Sequence, residues 1–271
     1  MGLLGDMVVR IVGDNAKFDA AIDKSDQKFT DFAKTAERHG KKLTMFVTAP
    51  LLAAAAAAVR FASDAEETAA KFGTAFRTVR KEADVTAKNL AQNYGLSNQE
   101  AQRLLSSTGD LLKGFGATGA QALGLSDKVQ RLAVDLASYN NIQGGAARAS
   151  HVLTRAMLGE REALTSLGVK VSEANVQEKL REQGLEKLEG RALLLAKAEA
   201  TLQLVTEQSG DAMGDFARTQ DSVANQLRTV RARATDVVTS FGEQMHPTVS
   251  KLLGRVLNLL TAFANLSDEK R

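Results

Sequence analysis

Gly114-Phe115-Gly116-Ala117-Thr118-Gly119 reproduces the glycine spacing of a dinucleotide-binding turn, in which backbone amides and a helix N-terminus hold a pyrophosphate. That chemistry needs a strand in front of the first glycine. Leu104 to Leu112 has helical spacing instead, so the segment reads as a loop between helices. Asp211 and Asp215 stand four apart, a separation that places two carboxylates on one helix face for metal or acid–base work. With Gly210 and Gly214 interleaved, they read better as the cap or start of the next helix. His39, His151 and His246 fall in no metal-ligand spacing and read as separate surface or cap residues. Arg218, Arg228, Arg231 and Arg233 could meet phosphates, but such residues more often form a solvated face.

The segment "LAQNYGLSNQEAQRLL" holds a helix, a glycine turn and a second helix, the order used by DNA-reading helix-turn-helix units. The second helix would offer Asn98, Gln99, Gln102 and Arg103 to base edges, with Glu100 among them and little basic density around it. A capped pair of helices accounts for the same letters, because Ser97-Asn98-Gln99-Glu100 fits a capping box. The chain has no cysteine, which excludes a thiolate nucleophile, a disulfide framework and a cysteine zinc site. No nucleophile with its base, no phosphate cradle and no metal cluster emerges. The expectation is a non-enzymatic protein with no catalytic, cofactor-binding or metal-binding residues and no cofactor.

The elements that position these residues are expected to be helical. Aromatics make up only 5% of the 271 residues, Trp is absent and there are two prolines, while Ala, Leu, Lys, Arg, Glu and Gln dominate. Those residues lose least on entering a helix. The fold class expected is all-α, an elongated multi-helix assembly with a short N-terminal β-like segment, Met7 to Val12. The net charge of +3 neither requires nor forbids an anionic partner.

"LTMFVTAPLLAAAAAAVRF", Leu43 to Phe61, is free of charge between Lys42 and Arg60. A membrane span would need about 20 mostly apolar residues in sequence. Pro50 interrupts the run and the part beyond it is largely Ala, so it reads as a helix start with Thr48 near the N-cap and Pro50 just inside. Membrane contact is not expected from it.

Along the chain, Phe18, Ile22, Phe29, Phe32 and Ala36 recur at helical spacing. A second stripe, Phe61, Ala65, Phe72, Phe76 and Val79, follows Pro50, with Gly73 as a break. Leu125-Ser126 is expected to open a helix that aligns Leu132, Leu136 and Tyr139. "NNIQGGAARAS" reads as a turn leading to a helix that ends near Leu158-Gly159. "SLGVKVSEANVQ" reads as a brief β-like or irregular link, followed by helices through Leu180 and from about Leu185 to Val205. Two more helices flank Gly242 to Pro247. The expected domains are 1–48, a β-strand plus helix; 49–213, a multi-helix core; and 214–271, long C-terminal helices.

Four stretches taken in order resemble the N-terminal core region of phage and prophage tail tape measure proteins. They are "GKKLTMFVTAPLLAAAAAAVRFASDAEE" (Gly40 to Glu67), "LSDKVQRLAVDLASYNN" (Leu125 to Asn141), "RAMLGEREALTSLGVKVSEANV" (Arg155 to Val176) and "GDFARTQDSVANQLR" (Gly214 to Arg228). The resemblance implies a structural ruler inside the tail tube, which sets tail length during assembly and is released at DNA ejection. It implies as partners copies of the same chain, the tail tube protein, tail assembly chaperones and tail-tip proteins, with phage DNA met only indirectly. It places the protein in the virion, in the tail lumen, and in the host cytoplasm during assembly. Family members commonly follow an "LSDEKR"-like stretch with a hydrophobic segment, so the 214–271 region is expected to be truncated before one.

The residues expected to carry interaction are Phe18, Ile22, Phe29 and Phe32 at one end and Leu252, Val256, Leu259 and Leu260 at the other, as apolar stripes seeking partner helices. Two other readings compete. One is a bacterial helical protein- or DNA-interaction module built on the hairpin near Ser97; the other is a membrane-active helical protein using Leu43 to Val59.

Overall fold

The computed structural model describes residues 49–240 and 242–243, with side chains from Arg60 onward. The β-like run at Met7, the Phe18 stripe, His39, His246 and the Leu252 stripe lie outside the described residues. The chain divides into two compact units, Met1–Ala57 and Ala58–Arg271. Every described residue from Ala58 onward belongs to the second, whose architecture is all-α, with no strand among the described residues.

Helix α1, Ala49–Ala75, begins one residue before Pro50, where the missing N–H costs no hydrogen bond. Gly73 does not break it. A 3-10 turn, Arg77–Val79, leads into α2, Arg80–Asn93. Next come α3, Asn98–Gly114, and α4, Gly119–Tyr139. The glycine-rich segment between them is the helix-to-helix loop expected from its context. After α5, Gly145–Met157, a second 3-10 turn, Glu162–Leu167, and an irregular link lead to α6, Glu173–Glu182. The last elements are α7, Gly190–Gln208, the single turn α8, Asp215–Arg218, and α9, over residues 223–240.

Caps set these boundaries. The Ser97 hydroxyl accepts the Glu100 N–H at 3.1 Å. Thr118 accepts the Gln121 N–H while the Gln121 side chain accepts the Thr118 N–H, a complete capping box, and Ser172 and Asn175 form another. The Thr118 box moves the start of α4 to Gly119, ahead of the expected Leu125. At the far end of α1 the Lys113 ammonium donates to the Ala75 carbonyl at 2.9 Å, a cation on a helix C-terminus.

The core runs from Phe72 and Phe76, in edge-to-face contact at 5.3 Å, through α2 to α5, and on to α6, α7 and Phe216 of α8. Helix α4 is its axis, packed against α2, α3, α5, α7 and α8. Phe61 and Tyr139, which the spacing aligns with buried residues of their stripes, are exposed, while Ala62 and Leu136 are buried. One polar chain crosses the core: Gln130 donates to Thr108 at 3.0 Å and to the Leu104 carbonyl at 3.3 Å, and Thr108 meets Thr154 at 3.1 Å. It fixes the register of α3, α4 and α5 in a way that Ala and Leu contacts alone do not.

Close approach at Gly109 seats the Phe76 ring directly on α3; a Cβ there would lie 2.5 Å from Phe76 Cζ. Gly109→Ala should therefore destabilise the protein by about 1–3 kcal/mol through overpacking, read by urea unfolding. Gly114→Ala, with open space at its Cβ, should not lower stability.

Glu173 joins three elements. It accepts from Arg161 of the second 3-10 region at 2.7 Å, from Lys197 of α7 at 2.7 Å and from Gln177 at 2.8 Å. Burial alone would raise its carboxyl pKa, but Lys197, Gln177 and Arg161 outweigh that and lower it from 4.5 to about 2. A lowered folded-state value means that this stability is present above the unfolded pKa and is lost as pH falls through the folded one. Between about pH 4.5 and 2, Glu173→Gln should lose less stability than the wild type in urea melts at stepped pH.

Candidate interaction surfaces

The surface with the clearest physical signature is α9, because its polar and apolar faces are reversed relative to an ordinary surface helix. Ser222 starts it, accepting the Asn225 N–H at 3.3 Å. The inward face then carries Asn225, Thr229, Ala232, Asp236 and Thr239, of which Asn225, Ala232 and Thr239 are buried. Hydrogen bonds hold this face to the body. Asn225 Nδ2 donates to Ser138 Oγ of α4 at 3.1 Å and to Thr219 Oγ1 at 2.8 Å. The Asp236 carboxylate accepts the Asn98 N–H at 2.8 Å, so α9 supplies an anion to the N-terminus of α3. Burial raises the Asp236 pKa, opposed by the Asn98 N–H and by Arg233.

The opposite face is apolar. Val223, Leu227, Val230 and Val237 are 73%, 63%, 64% and 56% exposed, and Ala234 lies between them in the same row. Their spacing alternates four and three residues, the pattern of a helix-to-helix seam. At about 100° per residue, Arg231 and Arg233 fall on opposite borders of the row.

Beneath α9 lies the junction that places it. Asp135 of α4 is buried and accepts the Gly214 N–H at 2.7 Å and the Phe216 N–H at 3.2 Å. Burial raises its pKa, the two amides pull it down, Asp215 adds to the rise and Arg218 opposes it. Those two bonds aim Phe216 at the α2–α3 loop, where it stacks on Tyr94 at 6.4 Å. Gly95 has φ +63°, and a Cβ on it would lie 2.7 Å from the Phe216 ring and 3.2 Å from Thr229 Oγ1. Only glycine satisfies both the conformation and the space. Arg131 lies over the Tyr94 ring at 5.0 Å, donates to the Tyr94 hydroxyl at 2.8 Å and is paired with Asp127.

The sequence-derived candidates fall into place around this junction. Asp215 opens α8 after Gly214, as its spacing suggests, while Asp211 offers its carbonyl to Arg218. Arg218 also donates to the Met213 carbonyl, so it braces a turn. Arg228 donates to Asn225 at 2.7 Å. His151 is exposed on α5. Among the described residues no three acidic, His or Cys side chains gather as a metal site. The helix pair around Ser97 exists, but Asp236 occupies the N-terminus of α3, the end that would approach bases. A carboxylate there repels a phosphate backbone. Phe18, Ile22, Phe29, Phe32, Leu252, Val256, Leu259 and Leu260 lie outside the described residues.

Sequence reasoning passed over Asp135 and the α9 row. The signal for the first was an aspartate inside "LAVDLA"; for the second it was the row Val223, Leu227, Val230, Ala234 and Val237 itself. Comparison with protein-family models, with curated proteins and with solved structures finds no match for the chain. No described helix is long and apolar enough to cross a membrane.

Asp236→Ala should cost about 0.5–2 kcal/mol, the range for a lost helix cap, in urea denaturation. Asp236→Asn, which keeps an acceptor oxygen, should cost less.

Proposed function

We propose that this chain is a structural, non-enzymatic region of a phage or prophage tail tape measure protein. In this role it acts as a scaffold in the tail tube, takes part in setting tail length and leaves at DNA ejection. Its partners are copies of itself, the tube protein, assembly chaperones and tail-tip proteins.

The observation that carries the reading is where the family-like stretches fall in the fold. Asp135 and Ser138, from "LSDKVQRLAVDLASYNN", bond Gly214, Phe216 and Asn225, from "GDFARTQDSVANQLR". Asn140 of the same stretch donates to the Leu167 carbonyl of "RAMLGEREALTSLGVKVSEANV" at 3.2 Å. Asp135, Ser138, Asn140 and Asn225 thus serve contacts between separate stretches, which supports a structural role over a chemical one. The exposed apolar row of α9 adds a surface suited to helical packing. An elongated assembly, as a ruler requires, belongs to this proposal and would be built from such helical units joined through exposed rows.

In the virus or prophage that encodes the chain, in-frame removal of residues 58–240 should abolish tails or give shorter tubes in electron micrographs. Tails of wild-type number and length would overturn the proposal.

A further inference from the structure

The apolar row of α9 needs a cover, and the sequence beyond it contains one of matching pattern. Leu252, Val256, Leu259, Phe263 and Leu266 repeat at the same alternation of four and three residues, and they lie outside the described residues. We propose that residues 252–266 of the same chain dock on α9 as the second arm of an antiparallel helical hairpin. This rests on the α9 row and the sequence, independently of the tail reading.

Three features select this occupant. The first is register. Antiparallel pairing with Pro247 at the turn sets Leu227 against Leu266, Val230 against Phe263, Ala234 against Leu259 and Val237 against Val256. One constant offset satisfies all four layers, and the larger Leu259 and Phe263 meet the smaller Ala234 and Val230. The second is the connection. Residues 242–243 are still helical, and the remaining 244–251 contain His246-Pro247, a dipeptide that favours a break over continued helix.

The third is the border. In this register Arg231 and Arg233 meet Leu260 and Ala262, and Val238, also exposed, meets Leu253. Long arginine stems can lie along such apolar neighbours with their charged ends in water. Antiparallel self-pairing of α9 centred on Arg231 would instead oppose arginines across the seam, a like-charge cost.

Because the chain has no cysteine, cross-linking can read the register without background. In the full chain, oxidised Ala234→Cys/Leu259→Cys should form a disulfide within one molecule, running as a compact monomer on a non-reducing gel. Ala234→Cys/Leu266→Cys, one heptad out of register, should form much less. Disulfide-linked dimers, or no difference between the pairs, would overturn the proposal. Val230→Asp and Phe263→Asp should each lower Tm, and together by little more than either alone, since both remove one contact. Unchanged Tm for Val230→Asp, or fully additive losses, would also overturn it.

Discussion

A carboxylate taken out of water must find donors, and Asp135 finds them in the Gly214 and Phe216 amides, two residues apart on one turn. The later part of the described chain depends on that pair. It fixes the short turn α8 on α4, and α8 fixes the direction of Phe216. Phe216 in turn closes over Tyr94 and Gly95, where a side chain at residue 95 would collide with it. The α2–α3 corner, the middle of α4 and the start of α9 are thereby joined through one carboxylate and one ring.

Above this junction the usual partition of a surface helix is inverted. Polar groups of α9 turn inward because the body presents donors and acceptors there: the Ser138 hydroxyl, the Thr219 hydroxyl and the free N-terminal amide of α3. Each is the kind of group that costs free energy when buried unpaired. Asn225 and Asp236 satisfy them from the inward face of the helix. The valines and Leu227 are then left on the outer side. The exposed row is a consequence of how α9 is anchored, and its heptad spacing makes it a surface for another helix.

The same logic separates structural from chemical uses of the charged residues. Glu173 is surrounded by Arg161, Lys197 and Gln177 from three parts of the chain, and its pKa falls as a result. Asp135 and Asp236 shift the other way because burial dominates over the amides they accept. A perturbed carboxyl can mark catalysis, but here each is committed to neighbouring backbone or side-chain donors.

The sequence by itself determined the helical class and many helix ends, because these depend on neighbours in the chain. Composition set the first; Pro50, Ser97, Gly114 and Gly144 marked the second, since a cap is closed by residues only a few positions away. It also contained the row at Val223, although spacing alone does not say which face of an amphipathic helix meets the body. Tertiary structure decided that face, along with the exposure of Phe61 and Tyr139 and the role of Asp135. These depend on groups far away in sequence: Asp135 bonds residues about eighty positions later, and Asp236 caps a helix that begins at Asn98. Hydrogen bonds between such distant groups exist only once the chain has folded, so no local pattern of spacing encodes them.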